Sequence, residues 1–150
     1  MHLSRESKII SGSLLIAVPT IMYGGVMLLG ILTEGVAGLK PGNLELNETQ
    51  WALWRAGHAH AGVIAILSLV LQPLVDHTAF SNGTKWVARS CAPIASVVLP
   101  AGFFGIAFVA NFKWLMYIGV ICLAVSVLLT GVGLLRNLQP NNVELAETPN

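Results

Sequence analysis

Charge is what this sequence has least of. Asp, Glu, Lys and Arg together make up 10% of its 150 residues, where a soluble domain usually carries about 25%. There is no basic run, and the formal net charge is +1, so nothing is available to neutralise a phosphate backbone and a nucleic-acid partner is excluded. Cysteine is scarce too. Cys91 and Cys122 form no Cys-x-x-Cys pattern and are expected at different depths in different spans, as small hydrophobes and not as a disulfide. A glycine-rich phosphate loop, a nucleophile beside a base, and a repeat of two spans by two are all missing. None of the common enzyme signatures is therefore present.

What remains is apolar. Hydrophobic residues account for 55% of the chain and the mean hydropathy is +0.74, which is the composition of a membrane protein. Four apolar segments, about 9–32, 52–75, 86–109 and 114–135, each exceed the roughly 20 residues that cross about 30 Å of hydrocarbon. The sequence predicts an all-α, integral membrane four-helix up-down bundle. It is read as a single transmembrane domain, with a polar, flexible tail over 139–150 that begins where Pro140 stops the last helix. The first span lacks a small-residue cleavage site and reads as a retained helix, not a signal peptide.

Orientation follows from the basic residues. Arg5, Lys8, Lys85, Arg89 and Arg136 fall on one side, and Lys40, Arg55 and Lys113 on the other. The positive-inside rule then places both termini in the cytoplasm, in a bacterial inner membrane. Trp51, Trp54, Trp86 and Trp114 lie near span boundaries, where an indole prefers the headgroup level.

The second span carries the informative string. Trp54-Arg55-Ala56-Gly57-His58-Ala59-His60-Ala61-Gly62 puts two histidines inside a membrane helix, where an ionisable group is a functional-site hypothesis by default. At about 100° per residue, Trp51, Trp54, Arg55, His58, Ala61, Gly62, Ala65, Ser68 and Gln72 share one face, which is small or polar. His58 is expected to look inward along it. His60 lies about 200° away with Val63, Ile64, Leu67, Val70 and Leu71, and is expected to look toward lipid or a second chain. Imidazoles at i and i+2 diverge, so joint chelation requires local unwinding at Gly57 and Gly62.

Other spans offer matching polar positions. Thr20, Tyr23, Met27, Gly30 and Glu34 align in the first, and Gly119, Cys122, Ser126 and Gly133 in the fourth. In the third, Arg89, Pro93, Ser96, Pro100, Phe103 and Ala107 form the stripe, with two prolines that favour a kink. Glu34, Tyr23, Arg55 and His58 are expected to cluster near the outer leaflet. Gly24 and Gly25 read as a close helix contact.

The Gly-His-Ala-His-Ala-Gly segment, with its preceding Trp-Arg, resembles the histidine-bearing membrane helices of distant haem-copper oxidase subunit I relatives. There a His-x-His string precedes a glycine within a span. The resemblance implies haem or metal binding. It does not imply oxygen reduction, because the further intramembrane histidines are missing. The chain as a whole resembles small four-span bacterial membrane proteins.

Three functions follow as expectations. In the first, the protein is a membrane accessory subunit with haem b or copper at His58 and His60, the second ligand coming from Met22, Met27 or Tyr23, from a cysteine in the case of copper, or from a second copy. In the second, it is a structural or partner-binding subunit without cofactor, its histidines fixing packing. In the third, it is a proton-coupled permease working through Glu34 and His58. The lipid bilayer and a homo-oligomer or larger membrane complex are the expected partners.

Overall fold

The computed structural model describes residues 3–38, 42 and 44–138. The tail 139–150 and Lys40 lie outside the described residues. The described chain is helical and has no strand. It comprises α1 (Arg5–Leu32), α2 (Glu48–Asp76), α3 (Asn82–Ile106) and α4 (Lys113–Arg136), with one turn of 3₁₀ helix over Ala110–Phe112 ahead of α4. All four helices are long and apolar enough to cross a membrane.

Each of the first three helices starts four residues before the apolar run that announced it. At α1 and α2 the reason is capping chemistry, which hydropathy does not register. The Ser4 side chain accepts from the Ser7 amide at the start of α1. At the start of α2, Asn47 and Gln50 form a reciprocal capping box, with Gln50 N donating to Asn47 Oδ1 at 2.9 Å and Asn47 N donating to Gln50 Oε1 at 3.0 Å, a pattern that satisfies two otherwise orphaned amides. At its other end α3 stops at Ile106 and not at Val109, where the Phe112 ring folds back over Gly105 and leaves no room for a Cβ.

Successive helices run in opposite directions. Ser4 N donates to Asp76 Oδ2 at 2.9 Å, joining the start of α1 to the end of α2. Asn137 Nδ2 donates to the His77 carbonyl at 3.0 Å, bringing the end of α4 to the same place. At the opposite end Gln50 Nε2 donates to the Ala107 carbonyl at 2.8 Å. One end thus gathers Arg5, Lys8, Lys85, Arg89 and Arg136 and is termed the basic end; the other carries the α1–α2 and α3–α4 connections and is termed the loop end.

The packing is uneven. α3 has the most extensive neighbours, α4 on one side and α2 on the other, whereas α1 packs chiefly on α2, barely meets α3 and does not meet α4. The α3–α4 seam is the tightest. A Cβ on Gly102 would lie 2.6 Å from the Met116 backbone, and one on Gly119 would lie 2.7 Å from the Leu99 backbone, so glycine sets how closely these helices approach. Ser126 Oγ donates to the Ala88 carbonyl and Thr130 Oγ1 to the Ser126 carbonyl in the same seam. Cys91 and Cys122 are free thiols and lie near one another across it, which corrects the expectation of unrelated depths.

A polar clamp closes the basic end. The Arg89 side chain is only 5% exposed and pairs with Asp76 at 2.6 Å, with Glu6 further off at 3.8 Å. Pro93 removes the amide that would have bonded the Arg89 carbonyl within α3. Gln72 of α2, fully buried, takes that place by donating Nε2 to the Arg89 carbonyl at 3.0 Å. Ser7 Oγ adds a bond to the Gln72 carbonyl at 3.1 Å. Three helices are thereby joined through side chains that would each be costly to bury alone.

Candidate functional site

α2 lies between α1 and α3, and its two histidines reach opposite neighbours. His58 is half-buried and turns toward α1. A Cβ on Gly25 would stand 3.0 Å from His58 Nε2, and one on Gly24 would stand 3.9 Å from Nδ1. The paired glycines therefore make the notch that accepts the imidazole, and the reading of Gly24 and Gly25 as a close helix contact gains its partner.

His60 turns toward α3. Its ring stacks on Phe103 with centroids 4.9 Å apart and planes 28° apart, while its outer edge stays exposed. Nδ1 lies 2.7 Å from the Ala56 carbonyl. A carbonyl only accepts, so Nδ1 is the donor in this contact. The side of α2 expected to face lipid is accordingly divided: Val63 and Val70 are exposed, whereas Ile64 and Leu71 are buried, Ile64 in the core with Ala95 and Leu99 of α3. A helix flanked on two sides buries a wider arc than one apolar stripe.

A cavity of about 460 Å³ opens where α1, α2 and α3 meet, lined by Gly24, Met27, Leu28, Ile31, Trp54, His58 and Phe104. On the other side of His58 a smaller hollow of about 190 Å³ is lined by residues that include Met22, Gly62 and Ala65. Trp54 is more than a boundary marker. Its ring packs edge-on against Phe104 and Phe108 at 5.6 and 6.0 Å, and its buried Nε1 has no partner among the described residues. The sequence signal for this role is Trp54 standing one helical turn before His58, on the same face.

The remaining expected site residues are not brought to His58. Tyr23 is 58% exposed and Arg55 is exposed, and neither lines either His58 cavity. Glu34 lines a separate hollow with Glu45 and Trp51. It stands just past the end of α1 with a positive φ of 52°. Its amide bonds the Ile31 carbonyl at 3.3 Å while Gly35 N bonds the Gly30 carbonyl at 2.7 Å, the hydrogen-bond pattern of a Schellman cap. The expected cluster of Glu34, Tyr23, Arg55 and His58 is thus corrected: an acid at the left-handed position of a helix cap stays with the cap. Glu34→Gly should change stability by less than about 1 kcal/mol in either direction, because relief of the left-handed strain offsets the added chain entropy; a detergent-phase unfolding curve checks it.

His58 and His60 diverge on an uninterrupted helix, and the cysteine pair lies in the α3–α4 seam. Among the described residues no three His, Cys, Asp or Glu side chains are grouped to hold an ion.

The side chains that sequence reasoning passed over are those of the basic-end clamp. Asp76 read as a loop residue, and Gln72 as one polar position among several. The available signal was the Arg-x-x-x-Pro spacing of Arg89 and Pro93, which announces an unpaired carbonyl in need of a donor from another helix. No protein-family model matches this chain, and comparison with curated proteins and with solved structures gives no match.

Proposed function

We propose that the protein is a small accessory subunit of a bacterial inner membrane whose cleft between α1, α2 and α3 would hold one haem b, with His58 and Met27 as the residues that would bind its iron. The observation that carries this reading is that an imidazole and a thioether line the same apolar cavity of about 460 Å³, and histidine with methionine is an established haem ligand pair. The Trp54 side chain lines the same cavity, and Arg55, exposed one turn before His58, is available to a propionate. α1 is the wall that gives way, since it packs chiefly on α2. Bound there, the iron supplies one-electron chemistry to a larger membrane complex. The basic end faces the cytoplasm. His60, exposed on α2, is where a second chain is met.

A second reading is favoured by the fit of the His58 ring against Gly24 and Gly25: a structural subunit in which the histidine fixes the α1–α2 contact and no cofactor is held. Haemin titration of the purified protein separates the two. The haem reading expects a saturating Soret change at one haemin per chain, lost in His58→Ala. Met27→Leu should keep binding but convert a low-spin spectrum to a high-spin one. An unsaturable change of equal size in wild type and His58→Ala supports the structural reading.

A further inference from the structure

The basic end holds a further cavity, at the opposite end of the bundle from the α1–α2 connection and not lined by either membrane histidine. It has a volume of about 460 Å³, and its lining includes Glu6, Asp76, Asn82, Lys85, Trp86 and Arg89. Both signs of charge thus face one hollow at the ends of three apolar helices, and Trp86 stands half-exposed beside it, as an indole does at the headgroup level.

The two charges are not equally committed. Asp76 is saturated, with Oδ1 on Arg89 and Oδ2 on the Ser4 amide. Glu6 is 40% exposed and 3.8 Å from Arg89, so its carboxylate can accept from a ligand. On the positive side, Arg89 is 5% exposed and held by Asp76, so it lends the hollow its charge while Lys85 is the cation with donors to give. Lys85 spends one of its three protons on the Asp76 carbonyl at 3.2 Å. The first turn of α3 begins here without a side-chain cap from Ser81, which leaves its amide donors and the positive end of its dipole toward the hollow.

We propose that this hollow binds a zwitterionic phospholipid headgroup of the ethanolamine type, with the phosphate on Lys85 and the first turn of α3, and the primary ammonium on Glu6. A choline headgroup has no N–H to give Glu6, and an anionic headgroup leaves Glu6 opposed by like charge. The inference rests on the helices crossing a bilayer and is independent of any haem.

The test is lipid retention by native mass spectrometry, with the full chain in micelles doped with phosphatidylethanolamine, phosphatidylcholine or phosphatidylglycerol. The ethanolamine lipid should be retained about fivefold more tightly than either of the others. Glu6→Gln should remove its advantage over the choline lipid, and Lys85→Gln should weaken all three. Arg136→Gln, at the same end but over the Phe80 ring, should leave the preference intact. Equal retention of the three lipids by wild type, a preference for phosphatidylglycerol, an unchanged ethanolamine preference in Glu6→Gln, or undiminished retention in Lys85→Gln would overturn the assignment. Displacement of the lipid by an equal concentration of soluble O-phosphoethanolamine would show a site for the free zwitterion and overturn the lipid part of it.

Discussion

Arg89→Ala is expected to be the most damaging single substitution in the chain, lowering stability by about 3–5 kcal/mol. The guanidinium is 5% exposed and its main partner, Asp76, is 10% exposed. Removing the arginine therefore leaves a carboxylate with little water to replace the lost cation. That carboxylate also holds the start of α1 through the Ser4 amide, so the loss reaches three helices. Asp76→Ala should cost a comparable amount, and the double variant should cost far less than the sum, because an apolar replacement of both partners strands no charge. SDS- or heat-induced unfolding in detergent reads all three. Additive costs would mean that the two side chains act separately.

The second large effect belongs to the α3–α4 seam. Gly119→Leu must place its Cβ where the Leu99 backbone stands, 2.7 Å away, and Gly102→Leu must do the same against Met116 at 2.6 Å. Backbone cannot rotate aside as a side chain can, so the helices have to separate. Overpacking of this kind costs about 1–3 kcal/mol at one site. Combined, the two should prevent a monodisperse fold, visible as aggregation on size-exclusion chromatography. Gly131→Leu, on the same helix at a position with nothing within 4 Å of a Cβ, is the control and should elute as wild type does.

The four helices were legible in the sequence because a run of apolar residues about 20 long has few other uses. Their ends were not. Ser4, Asn47 and Gln50 extend helices into polar sequence by hydrogen bonding to backbone amides, and an apolar window is blind to that. The divergence of His58 and His60 followed from the helical repeat alone, since 200° of rotation cannot be hidden. Which neighbour each histidine meets did not follow, because it depends on α2 lying between α1 and α3. For the same reason Ile64 and Leu71 read as lipid-facing, although α3 buries them. Asp76 was the furthest from reach: its partners Arg89 and Ser4 are 13 and 72 residues away, and only the antiparallel course of the helices brings them together. Of the expected site, His58 and Met27 share a cavity, while Tyr23, Arg55 and Glu34 stand outside it. Helical phase placed them all near one end of the chain's spans but carried no information about lateral position.

The central claim is that His58, and not His60, carries a cofactor. The most direct measurement is the reduced-minus-oxidised absorption spectrum of the protein purified after expression with haem supplied, taken for wild type, His58→Ala and His60→Ala. The account predicts a b-type haem spectrum at one haem per chain in wild type, absent from His58→Ala and retained in His60→Ala. A colourless wild-type protein, or a spectrum that survives His58→Ala, would contradict it.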